Sequence, residues 1–183
     1  MDFYTLFKFL HVLAALAWVG GGMTMLASTL FSVRDRGELG AMRAALSTAS
    51  LGKRWFLPAS LLTLVFGAIT TALGNLWDQP WIILGLAGAA ATFLTGILVF
   101  EPTARKLAEL MAEGREAEAL VAGRTMLRIS KFDYTVMFLI VADMVLKPDW
   151  SSYTTLGAMA AILVAGAVAF LIMPKRAVRP IAA

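Results

Sequence analysis

The feature that most constrains this chain is its division into five apolar runs, at about 4–31, 55–76, 81–101, 132–147 and 153–174, with nearly every charge gathered between them. A helix rises 1.5 Å per residue, so about 20 apolar residues cross the roughly 30 Å hydrocarbon core of a bilayer. Inside that core each backbone amide must find its partner within its own segment, which leaves the helix as the spanning element for runs of this kind. The runs predict an all-α integral membrane bundle of five transmembrane helices, a four-helix core plus one, in a single domain over 1–183. The fourth run is short and carries Asp143, so four spans with a re-entrant segment is the alternative. The first run is too long for the apolar region of a signal peptide and precedes no soluble domain, so it reads as a retained span.

Composition agrees. Sixty per cent of the 183 residues are hydrophobic and 15% charged, against roughly 45–50% apolar in soluble domains. The lack of cysteine excludes disulfides, thiolate metal sites and covalent haem attachment through Cys-x-x-Cys-His. Walker loops, nucleophile elbows, His-Glu-x-x-His and dinucleotide fingerprints are all missing, and "GGG" at 20–22 lies inside a span rather than cradling phosphate. Whether the chain is an enzyme stays open. The net charge of +4 comes without a basic patch interleaved with aromatics, so nucleic acid is not a partner. Orientation in a membrane explains the charge better.

Of the 16 Lys and Arg, five lie in 33–54, six in 102–131 and three after 174, all on one side of the bundle. The positive-inside rule makes that side cytoplasmic, with the N-terminus outside and the C-terminus inside, as an odd number of spans requires. The reading is a multi-pass protein of a bacterial inner membrane. Trp77, Trp81, Trp150 and Tyr153 then gather at the outer interface and Trp55 at the inner one. Between spans three and four, 102–131 alternates charge with Leu107, Leu110, Met111, Leu120 and Val121 at helical spacing. It predicts one or two amphipathic helices broken near Gly114 or Gly123, lying on the inner surface or extending inward from span three, either a solvated connection or a surface for a partner.

Lipid supplies no hydrophobic drive between helices, so close approach at small residues must hold them together. Gly157, Ala161, Ala165 and Ala169 form one stripe, Gly20, Thr24 and Ser28 another, and Gly85, Gly88 and Ala89 a third. All three are expected to face neighbours rather than lipid, within the bundle or in a homo-oligomer or membrane-protein complex.

Only Lys8 and Lys147 are basic on the outer side. His11, the sole histidine, lies three residues beyond Lys8 on the same helix face. Asp143 lies four residues before Lys147 on a span of opposite direction, at matching depth. Ionisable groups inside a bilayer cost about 2.5–3.5 kcal/mol each on insertion scales, so they usually face the interior and pair. The expectation is an outward-opening pocket of His11, Asp143 and Lys147, with Lys8 near it and Trp18 as a wall. It is either a functional site or a polar lock with snorkelling lysines. As a function, Asp143 would orient a metallated His11 or exchange protons with it. One histidine excludes a bis-histidine haem b within one chain, but leaves haem b with His11 opposite Lys147, a methionine, water or nothing. Ten methionines raise copper, since thioethers suit Cu(I). No Met-x-x-Met run supports it, and methionine is an ordinary core filler.

"LFKFLHVLAALAWVGGGMTM" at 6–25, "WFLPASLLTLVFGAITTAL" at 55–73 and "ISKFDYTVMFLIVADMVLKP" at 129–148 resemble a family of small bacterial predicted integral membrane proteins of unknown function. The pattern is also similar to the membrane protoporphyrinogen oxidases of the haem pathway and, more loosely, to the copper-resistance D membrane proteins. The likeness to the oxidases implies haem b binding at His11 and a role in activity for Lys147. Those oxidases also carry an arginine soon after the first-helix Trp-x-Ala-Gly stretch and a polar Arg-Asn-Glu-type motif. Residues 23–33 here hold no arginine and nothing matches the second motif, which argues against porphyrinogen oxidation. Three readings follow: a haem-b-binding or redox-linked membrane protein, a non-enzymatic accessory or assembly subunit, and a small proton-coupled transporter. No inverted repeat or broken-helix pair accompanies the last.

Overall fold

The computed structural model describes residues 2–47 and 50–173. Lys175, Arg176, Arg179 and the end of the fifth run at 174 lie outside the described residues. Those residues form five helical rods and no strand: α1 Phe3–Ser47, α2 Gly52–Leu73, α3 Pro80–Ala112, α4 Glu116–Leu146 and α5 Tyr153–Ile172. By length and composition α1, α2, α3 and α5 suffice to cross a membrane. α4 falls short of that measure because its last 18 residues, 129–146, hold Lys131, Asp133 and Asp143.

Each rod runs antiparallel to the one before it. Tyr4 packs at Gly74, His11 at Gly67 and Phe56 at Gly22, which pairs α1 with α2. Met144 packs at Gly85 and Ile140 at Gly88, which pairs α3 with α4. α1 also meets α4, closing a four-helix ring, and α5 leans on α4 from outside. Trp18, Ala59, Ala89, Tyr134 and Met137 fill the middle of the ring, one or two from each of its four helices. α4 takes a place in this ring despite its charges, while four of the five rods are long and apolar enough to cross a membrane.

Local features follow from particular residues. Pro58 and Pro102 each lie two residues after a π-helical turn, Gly52–Phe56 and Gly96–Phe100. A proline ring collides with the carbonyl four residues back, and the wider turn relieves that collision without ending the rod. Lys147 closes α4 in the left-handed region at φ 46, its N–H donating to the Asp143 carbonyl at 2.8 Å, before Pro148 forbids more helix. At Gly37 (φ 71, ψ 174) the backbone leaves helical geometry, which splits a long apolar arm of α1 from a short arm over 38–47.

That short arm forms a second core with the ends of α3 and α4, through Met42, Leu107, Leu110 and Ala119. The stretch 102–131 is therefore no separate connection. It prolongs α3 and begins α4, and the chain turns at Gly114, where φ is 73. The helix continues through Gly123, where a Cβ would meet Met42 Cε at 3.2 Å; that glycine serves close packing. Arg43–Glu116 (2.9 Å), Lys53–Glu101 (2.7 Å) and Arg124–Glu38 pairs rim this end.

The small-residue stripes divide. Gly85 and Ala89 are buried against α4, as expected. Gly157, Ala161, Ala165 and Ala169 are exposed, as are Gly20, Thr24 and Ser28, and among the described residues nothing lies within 4 Å of a Cβ at Gly20 or Gly157. α5 instead meets α4 at Gly166, where a Cβ would lie 2.9 Å from Thr135 Cγ2, and through Arg128, which donates to the Phe170 and Leu171 carbonyls. A four-residue period identifies a face without saying which way it turns.

Candidate functional site

His11 is held by the backbone of α2. Its Nδ1 lies 2.9 Å from the Thr63 carbonyl oxygen. A carbonyl only accepts, so Nδ1 carries a proton, and Nε2 is the nitrogen left to accept or ligate whenever the ring is neutral. The Thr63 hydroxyl turns to Ala59 O at 2.8 Å, leaving the backbone to orient the ring. Gly67 makes the fit: a Cβ there would stand 3.0 Å from Cε1 and 3.1 Å from Nδ1 of the imidazole.

Asp143 occupies the seam between α4 and α3. It is 1% exposed, and neither carboxyl oxygen has a hydrogen-bond partner. A Cβ on Gly85 would lie 3.2 Å from Oδ2, so that glycine admits the carboxyl to the interior. Its depth follows from the Gly22–Tyr134 contact. Nine residues separate Tyr134 from Asp143, a climb of about 13.5 Å; the same climb along antiparallel α1 reaches Leu13, about 3 Å short of His11. Acid and base share a level on different seams. No direct hydrogen bond or ion pair joins them among the described residues.

The lysines leave the expected cluster. Lys147 Nζ sits 5.2 Å from the Trp81 ring centroid and Lys8 Nζ 5.8 Å from that of Tyr4. An ammonium over an aromatic face at the rim gains about 0.5–1 kcal/mol and stays hydrated, whereas joining Asp143 inside would strip its water.

Beneath the pair, two further polar atoms lack partners: Trp18 Nε1, on a side chain 3% exposed, and the Tyr134 hydroxyl. Gly22 makes room for that hydroxyl, since a Cβ there would fall 1.7 Å from it. Trp18 belongs to the central core and offers a donor there. Buried polar groups are nearly always bonded to protein or water, so these four atoms on three side chains are the ones here free to take a further hydrogen bond. Sequence reasoning missed Tyr134, whose hydroxyl has no sequence signature. It also missed Asp133, although an acid inside an apolar run was the very signal that singled out Asp143.

The donor set tests the cofactors. No group of three His, Cys, Asp or Glu able to hold a metal ion exists among the described residues. Were a haem b bound, His11 would be the residue to hold it, through Nε2, with Nδ1–H anchored on the Thr63 carbonyl as ligating imidazoles usually are. Two clefts of about 340 Å³ lie among the described residues, and His11 lines neither.

These features define an integral membrane helical bundle with an orphaned polar interior toward one end. The chain matches the family described as predicted integral membrane protein (DUF2269) over residues 5–148, and it belongs to that family. No curated protein and no solved structure matches it.

Proposed function

We propose that this is a five-span protein of the bacterial inner membrane, N-terminus outside, whose His11–Asp143 interior holds and exchanges protons near the outer face for redox-linked chemistry in the membrane. The observation that carries this reading is the fully buried, unpartnered Asp143 at the level of an imidazole whose tautomer is fixed by Thr63. An ionised carboxyl in such surroundings is costly until a proton, a cation or water pairs it, and intramembrane ionisable residues commonly serve that exchange. His11 and Asp143 are the proton-carrying groups. Trp18 and Tyr134 offer hydrogen-bond sites for water between the seams. Lys147 and Lys8 contribute positive charge at the mouth.

The test is a pH-difference infrared spectrum of the purified chain in lipid nanodiscs, with an optical spectrum of the same sample after expression with ample haem. The reading expects a carboxyl band that responds to pH and disappears in Asp143→Asn, with no Soret band. Absence of any pH-responsive band assigned to Asp143 would overturn it. A Soret band lost in His11→Ala would instead assign the imidazole to haem b, as the likeness to the oxidases implies.

A further inference from the structure

A cleft of about 340 Å³ opens between α3, α4 and the end of α5, toward the basic end of the bundle and well away from His11. Apolar side chains, among them Val99, Phe132, Val136 and Leu171, make up most of its wall. Three polar side chains share it: Asp133, Thr92 and Thr95.

With Asp133 ionised, those three offer acceptors and no donor. The Thr92 hydroxyl donates to Ala89 O at 3.0 Å and the Thr95 hydroxyl to Ala91 O at 2.9 Å, so each spends its proton on its own helix and presents lone pairs. Asp133 is 5% exposed, and no hydrogen bond or ion pair engages its carboxyl among the described residues. The nearby guanidinium of Arg128 is committed to the Phe170 and Leu171 carbonyls. Among the described residues no counter-charge meets that carboxyl, and an ionised carboxylate flanked by two hydroxyl acceptors in an apolar wall is an unfilled half of an ion pair.

We propose that this cleft binds an organic cation, an ammonium group carried on an apolar body, with the ammonium on Asp133 and its remaining hydrogens directed to Thr92 and Thr95. An ammonium supplies the three donors that the site lacks. The volume and apolar lining suit an alkyl body and exceed what a bare ion would fill. The same chemistry is available from a lipid with an amine headgroup or from a free lipophilic amine. The proposal is independent of His11 and Asp143.

The experiment is calorimetric titration of the full chain in mild detergent with octylammonium chloride, and with 1-octanol and sodium chloride as comparisons. Native mass spectrometry follows the lipids that stay bound. The expected result is saturable octylammonium binding at one site, at least tenfold weaker in Asp133→Asn, with neither octanol nor sodium reproducing it. Ala91→Phe, which fills the cleft and keeps the carboxyl, should also abolish it, and decides the matter if Asp133→Asn fails to fold. Retained phosphatidylethanolamine displaced by octylammonium identifies a lipid amine; octylammonium binding with no retained amine lipid identifies a free amine. Equal binding of octanol, an unchanged affinity in both variants, or a heat reproduced by sodium alone would overturn the proposal.

Discussion

Gly67→Ala isolates the contact that orients the histidine. The added Cβ would lie 3.0 Å from Cε1 and 3.1 Å from Nδ1 of His11, where ordinary contact begins at 3.4 Å. The ring must therefore retreat by about 0.4 Å, which stretches the 2.9 Å bond to Thr63 O to about 3.3 Å, beyond the usual 2.7–3.2 Å range. Weakening that bond costs about 0.5–1.5 kcal/mol. Replacing glycine by alanine within a helix returns about 1 kcal/mol. The two nearly cancel, so the melting temperature should move by no more than about 2 °C. Stability is the wrong readout here; the imidazole is the right one. Because His11 is the sole histidine, histidine labelled with nitrogen-15 reports on one site. The wild type should show Nδ1 protonated and Nε2 bare, and Gly67→Ala should broaden or mix the two tautomers. A wild-type spectrum with the proton on Nε2, or a variant with an unchanged spectrum, would refute the reasoning.

Gly22→Ala should behave in the opposite way, losing stability outright. Its Cβ would fall 1.7 Å from the Tyr134 hydroxyl and 2.5 Å from Phe56 Cε2. Overpacking of this kind costs about 1–3 kcal/mol, and adding Tyr134→Phe should recover part of the lost melting temperature. The loop after α4 should be sensitive to acid. Hydrogen bonds from Ser151 and then Ser152 hold the Asp149 carboxyl below its ordinary value of 3.8. A depressed value in the folded state stabilises above 3.8, and that contribution is lost as pH falls from there through the lower folded value. Hydrogen-exchange protection of the amides at 149–152 should fall in that window and, in Asp149→Asn, already be lost at neutral pH. Orientation can be read directly because the chain has no cysteine: a membrane-impermeant maleimide should label Lys8→Cys in intact spheroplasts and spare Lys106→Cys until lysis, and the reverse pattern would invert the topology.

The helical architecture was legible because apolar length and charge placement act over whole segments: all five rods overlap the five apolar runs, and Gly114 and Pro148 fall where the chain stops being helical. The facing of the rods was less legible. Gly157 and Gly85 sit in similar small-residue patterns, yet one is exposed and the other packs on Met144, because only the neighbouring helix decides which face is used. The depths of His11 and Asp143 could be counted along the chain. Lys147 could not be placed that way, since its cation–π partner, Trp81, lies 66 positions away in sequence. The Thr63 carbonyl that orients His11 is a backbone atom and leaves no trace in residue identity.

Whether the two seams form one proton-exchanging interior is tested most directly by comparing the nitrogen-15 shifts of His11 in nanodiscs between the wild type and Asp143→Asn. Groups sharing one interior share its water and hydrogen bonds, so removing the carboxyl should move the imidazole resonances. Superimposable spectra of the two proteins would mean that His11 and Asp143 lie in separate compartments, and that no joint site exists.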